Sequence, residues 1–167
     1  AGTIDPIRRT GILQNARLVG RRQLKISAIL DQIDLGSIAL PTFQRGYVWN
    51  RDQIRGLMTS LSRRYPVGSL LMWQTKTESA EVRGDAALPP GTVELLLDGQ
   101  QRVTTLYGIM RGKTPNFFDG KASIFEGLHF HLDTEVFEFY TVPMKNDPLW
   151  IDVTDVLQKG AEGAGEA

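Results

Sequence analysis

The sequence predicts a mixed α/β or α+β domain, on three observations. Two segments place apolar residues at helical spacing, short consecutive aliphatic runs alternate with the helical segments, and a late stretch alternates apolar with polar residues. No internal repeat is visible, which argues against a solenoid.

In chain order, residues 1–22 show no sustained period and carry Arg8, Arg9, Arg17, Arg21 and Arg22, the composition of a flexible basic leader; Ile12, Leu13, Leu18 and Val19 give it some means of docking on the body. Ile26, Ile29, Leu30 and Ile33 then fall at i, i+3, i+4 and i+7, predicting a helix over 25–34 that Gly36 terminates. "SIALP" is too short for a helix and reads as a strand whose end Pro41 marks. Asn50 with Gln53 forms an N-x-x-Q capping box, and Ile54, Leu57, Met58 and Leu61 repeat the helical spacing, predicting a second helix over 51–64 stopped by Pro66. "VGSLLMWQT" is expected as a strand buried on both faces, because its apolar residues are consecutive. Residues 75–92 are polar, rich in Gly and Pro, and read as a long surface loop. "VELLL" is a third buried strand, and "VTTLYGIM" a third helix with Val103, Leu106 and Met110 on one stripe and Gly112 at its end. "GLHFHLDTEVFEFYTVP" has a hairpin pattern turning at Asp133-Thr134, and "DVTDVLQKG" predicts a short last helix capped by Thr154.

Composition narrows function. With 19 basic and 19 acidic residues the chain has no net charge, so contact with nucleic acid has to come from a local patch. There is no cysteine, which excludes disulfides, thiolate zinc sites and cysteine nucleophiles, and fits a reducing cytoplasm. No apolar run approaches the roughly 20 residues a membrane helix needs, and the start lacks a secretion-signal plan. The chain opens on Ala1 without methionine and closes on the small-residue stretch 160–167, the pattern of a piece of a longer protein, leaving 23–159 as the folded domain.

The chemistry concentrates where the aliphatic run 93–97 ends in Asp98-Gly99-Gln100-Gln101-Arg102 as a helix begins. A helix start has N–H groups without intrahelical partners and a partial positive charge, so it receives anions. Gly99 permits a tight turn and a close approach of phosphate, Gln100 and Gln101 offer uncharged donors, and Arg102 a planar fork for two phosphate oxygens. Asp98 is either the helix cap or a ligand for Mg²⁺ accompanying phosphates. The same residues also suit a capped, solvated first turn. Neither the P-loop nor the dinucleotide fingerprint occurs.

Two linked blocks, F-Q-R-x-Y-x-W at 43–49 and D-G-Q-Q-R-x-T-T-L at 98–106, resemble the N-terminal domain of GmrSD-type restriction proteins, the DGQQR-motif family of bacterial phage defence. The resemblance extends over about 24–157. It implies an α+β, ParB/sulfiredoxin-like fold, a mixed sheet with flanking helices in which a G-x-x-R turn holds nucleotide phosphates; Gly99 to Arg102 match that spacing. It further implies that Asp98, Gly99, Gln100, Gln101 and Arg102 bind a nucleoside triphosphate with Mg²⁺ at Asp98, that Gln44 and Arg45 line the same cleft, and that Asp98, Arg102 and Arg45 serve NTP hydrolysis. In the family such a unit regulates a separate C-terminal HNH-type nuclease acting on modified phage DNA; pairing with a second copy of the chain is left open. Only His129 and His131 are present, without the wider HNH pattern, so DNA cleavage is not expected from this chain. The competing expectation is a noncatalytic ParB-like DNA-binding or assembly module, suggested by the basic leader.

Other candidates have plainer expectations. Tyr47 and Trp49 suit core packing better than base stacking. His129 and His131 share a strand face, but with no third ligand evident a solvent-facing pair is expected. Lys113 and the pair Arg63-Arg64 suit helix C-terminal dipoles, and Thr104 and Thr105 lie where they can support the loop.

Overall fold

The computed structural model describes residues 23–84 and 87–160; the basic leader and the terminal stretch lie outside the described residues. The fold is α+β. Four α-helices accompany two three-stranded sheets among the described residues.

Helix α1 (Ile26–Asp34) buries Leu30 and Ile33, as its spacing requires. It closes through left-handed Gly36 (φ 73°), with Gly36 N–H donating to Ile33 O and Ser37 N–H to Gln32 O, the paired bonds of a Schellman motif. Strand β1 (Ile38–Ala39) follows. Helix α2 (Arg51–Ser62) has the expected capping box, Asn50 and Gln53 each accepting from the other's backbone N–H. It stops short of Pro66 for a different reason from the one the sequence suggests: Arg64 adopts φ 57°, and the N–H groups of Arg64 and Tyr65 turn back to Leu61 O and Ser60 O.

Strand β2 (Leu71–Lys76) pairs antiparallel with β3 (Thr92–Asp98), which also pairs parallel with β1. The order is β1-β3-β2, a mixed sheet. The expectation that the second strand is buried on both faces fails, because β2 is an edge whose residues are only partly covered, with Leu71 and Lys76 exposed. The central β3 holds Val93, Leu95 and Leu96 buried. The loop expected over 75–92 is partly ordered: β2 runs into its start, a 3₁₀ turn spans Thr77–Ser79, and Val82 bridges to Pro41.

Helix α3 (Gln100–Arg111) follows β3 after a single residue. The second sheet, ordered β5-β4-β6, contains the expected hairpin as β4 (Leu128–His131) and β5 (Phe137–Phe139), and β6 (Trp150–Asp152) pairs with β4. Helix α4 (Val153–Lys159) is capped by Asp152, which accepts from Asp155 N–H; Thr154, the expected cap, lies inside the helix.

Helix α3 sits between the two sheets. Leu106 and Ile109 join Ile54, Leu57, Phe125 and Leu128 in one apolar cluster, while Val103 and Tyr107 join Leu30, Ile33, Ile38 and Leu96 in another. All of Gln100–Ile109 except Arg102 is buried, so the helix carries no solvated face. This arrangement fixes the start of α3 in the middle of the domain, and it explains why Gly108 is glycine: a Cβ there would lie 2.5 Å from the Phe125 ring. No described helix is long and apolar enough to cross a membrane.

Candidate nucleotide site

The corner between β3 and α3 is built on Gly99, which takes φ 91° as the N-cap. A side chain is excluded there twice, by the left-handed backbone and by Leu70, whose Cδ2 fills the space a Cβ needs. No side chain caps α3, so Asp98 is not the helix cap. Its side chain is 74% exposed and stands 3.8 Å from the Arg102 guanidinium. The first intrahelical bond runs from Val103 N–H to Gly99 O, leaving the N–H groups of Gln100, Gln101 and Arg102 without an intrahelical carbonyl.

Five side chains stitch the two sequence blocks together. Gln100 Nε2 donates to Arg45 O (3.0 Å), and Gln101 Nε2 to Gly46 O (3.1 Å), while Gln101 Oε1 accepts from Val48 N–H (2.9 Å). Gln44 Nε2 donates to Leu97 O (2.8 Å). Thr105 Oγ1 donates to Gln101 O (2.8 Å), so its lone pair receives the Tyr47 hydroxyl at 2.7 Å. Tyr47 also packs edge-on against Phe118 and Phe125; burial pushes its phenol up to about 12, the Thr105 bond opposing. Tyr47 and Trp49 therefore belong to the core, as expected. The glutamines are not a wet first turn: each is 7% exposed, and their amides hold the 44–48 loop in place.

Arg102 is committed elsewhere. Its Nη1 donates to Val67 O and its Nη2 to Ser69 O (2.7 Å), so the guanidinium fixes the turn entering β2. The two candidate arginines border different cavities. Gln100, Gln101 and Thr104 face a small cavity shared with Arg45; Arg102, Val103 and Leu106 face a groove of about 1140 Å³ running past α1 and α2. At 100° per residue those two sets lie on opposite sides of α3, so the blocks come together through their glutamines and not through their arginines.

Arg83, which sequence patterning does not single out, joins the Arg45 cavity. Its backbone N–H donates to Leu40 O (2.8 Å), holding the 80s loop beside the first block, and its guanidinium lies 3.3 Å from Asp119. No signal in the loop's own composition marks it; only the long-range pairing brings it to the site.

The remaining candidates are placed more simply. His131 is 3.5 Å from Asp147 and edge-on to Trp150, and His129 contacts Gly127 O and Tyr140, so the pair is partly buried and not solvent-facing. No group of three or more His, Cys, Asp or Glu able to hold a metal occurs among the described residues. Lys113 stands 3.9 Å from Asp34.

The chain is similar to known proteins. A protein of Methanocaldococcus jannaschii, "Uncharacterized protein MJ0686", is 36% identical over 92 residues, covering 49% of this chain and 16% of the relative, so the chain corresponds to a small part of that protein's length. Residues 26–159, which contain every element from α1 to α4, match the family described as GmrSD restriction endonuclease, N-terminal domain. The chain belongs to the GmrSD N-terminal domain family, a component of restriction systems.

Proposed function

We propose that this domain binds a nucleoside triphosphate at the start of α3 and hydrolyses it to regulate a modification-dependent restriction protein. The observation that carries the reading is that the N–H groups of Gln100, Gln101 and Arg102 have no intrahelical carbonyl, at a positive helix end beside the exposed Arg45. Because the glutamine side chains hold the 44–48 loop, the amides and Arg45 are set relative to each other before a ligand arrives, which reduces the ordering cost of binding.

In this reading the amides and Arg45 hold phosphate oxygens, and Arg45 offsets the charge that develops during phosphoryl transfer. Gln44 is a positioning residue, joining the Arg45 loop to the end of β3. Arg102 shapes the turn at Val67–Ser69, on the side of α3 away from the Arg45 cavity. Asp98 fits a magnesium ion that enters with the phosphates: Mg²⁺ needs only one or two protein carboxylates when a ligand supplies other oxygens, and this carboxylate is exposed and unused as a cap. The ion would supply charge neutralisation between phosphate oxygens. A C-terminal HNH-type nuclease and modified DNA are the proposed partners of the whole protein.

The test is hydrolysis of ATP, GTP, CTP and UTP with Mg²⁺ by the wild-type chain, Arg45→Ala, Arg102→Ala and Asp98→Asn. Arg45→Ala is expected to lose about 100-fold or more in turnover, the scale of a lost transition-state donor. Wild-type turnover in the Arg45→Ala protein contradicts the proposal. Nucleotide-insensitive, salt-dependent DNA binding favours the noncatalytic module instead.

A further inference from the structure

The groove of about 1140 Å³ lies on the side of α3 away from Arg45. Ile29 of α1, Leu57 and Leu61 of α2, and Leu71 and Met72 of β2 give it an apolar wall. Leu71 is 53% exposed, and Ile29, Leu61 and Met72 are only partly covered although each packs against a core cluster. The volume exceeds the usual range of small-ligand pockets, roughly 300–1,000 Å³, and suits a chain segment that inserts several side chains. The position of the chain indicates which segment. Gln23, Leu24 and Lys25, the first described residues, themselves line the groove, so residues 1–22 join the body there. Those residues contain two adjacent apolar pairs, Ile12-Leu13 and Leu18-Val19. At about 3.3 Å per residue, Leu18 is within about 17 Å of Gln23 and Ile12 within about 36 Å. Charge agrees. Glu94, the one acidic residue lining the groove among the described residues, is half-buried opposite Gln74 of β2 and has no ion-pair partner among them. Residues 1–22 carry five arginines against the single acid Asp5.

We infer that the chain's own basic leader folds back into this groove, with Leu18-Val19 seated between α1, α2 and β2 and one of Arg17, Arg21 and Arg22 facing Glu94. The apolar pair gains burial, and a half-buried carboxylate gains the cation it lacks. Arginine suits that place because its weakly hydrated, planar fork pairs with a carboxylate at low desolvation cost. A tethered segment competes at an effective concentration on the order of millimolar, whereas a second copy of the chain also loses translational and rotational freedom on binding. The docked leader covers β2, an edge strand that pairs only with β3 among the described residues and otherwise offers unpaired backbone groups to another chain.

The experiment is paramagnetic broadening in the full chain. Because the chain has no cysteine, Asn15→Cys takes a single nitroxide. In ¹⁵N-labelled protein carrying it, the amides of Ile29, Leu61 and Met72 are expected to lose intensity relative to the reduced label, while those of the hairpin turn Asp133-Thr134 keep theirs. Unchanged intensities at the groove overturn the inference. An equal mixture of spin-labelled unenriched protein with ¹⁵N-labelled wild type is expected to show no broadening; broadening there assigns the groove to a second copy and overturns docking within one chain. Leu18→Ser with Val19→Ser, added to the spin-labelled chain, is expected to restore the intensities and to lower Tm by about 4 °C or more, through loss of apolar burial. Retained broadening with an unchanged Tm overturns the role of that pair. Glu94→Gln is expected to weaken the broadening, and unchanged broadening overturns the charge contact.

Discussion

Replacing Gln101 by leucine removes two hydrogen bonds at once and keeps the side chain's bulk. Gly46 O loses its donor at 3.1 Å and Val48 N–H its acceptor at 2.9 Å, next to a side chain that is 7% exposed. A buried group stranded this way costs about 1–3 kcal/mol. The Val48 side chain is 58% exposed, so water reaches that end of the loop and the lower half of the range applies. About 2–4 kcal/mol for the pair is expected, equivalent to a fall of roughly 8–15 °C in Tm for a fold of this size. Gln53→Leu provides the matched control: that amide serves an exposed capping box, whose loss costs about 1 kcal/mol. Thermal unfolding followed by circular dichroism, with urea denaturation to verify an unchanged m value, reads both variants. A Gln101→Leu protein melting within about 2 °C of wild type refutes the claim that the two blocks form one hydrogen-bonded unit.

Two further predictions follow from packing and from proton linkage. Gly108→Ala and Gly56→Ala have opposite signs. The first drives a methyl into the Phe125 ring and is expected to destabilise by about 1–3 kcal/mol, whereas the second meets nothing within 4 Å and is expected to stabilise α2 by about 0.5–1 kcal/mol, both read from urea midpoints. The Tyr107 phenol is pushed up to about 12 by burial, then by its bond to Asp34 and that carboxylate's charge, alongside Tyr47 at about 12. Since both folded values exceed the unfolded value of 10, their contribution is complete below pH 10 and is lost as pH rises through about 12. Denaturant midpoints should fall steeply above pH 10, and less steeply in Tyr47→Phe; identical slopes contradict the linkage.

The legible part of the fold is the part written in local chemistry. The periodicity of 26–33 and 54–61, the Asn50–Gln53 box, Gly112 and the turn at Asp133-Thr134 each act over a few residues, and all appear as expected. What escaped is non-local. Strand β6 is three residues long and shows no pattern of its own; its pairing with β4 defines it. The edge position of β2 depends on which strands flank β3, which an aliphatic run does not encode. At the candidate site, Gln100 and Gln101 look solvated because they are polar, yet their partners lie 53–55 residues away and their burial follows from those bonds. Arg102, adjacent to them in sequence, points to the opposite side of α3 and is occupied by Val67 and Ser69. Spacing identified the corner; only the packing separates its positioning arginine from the exposed one at Arg45.

The first amides of α3 are the proposed phosphate contacts. Titrating ¹⁵N-labelled protein with each of the four ribonucleoside triphosphates in the presence of Mg²⁺ reads those amides one by one. One triphosphate is expected to move the Gly99, Gln100, Gln101 and Arg102 amide resonances farther than any others, with saturation; a nucleotide that binds while those resonances stay in place contradicts the phosphate assignment.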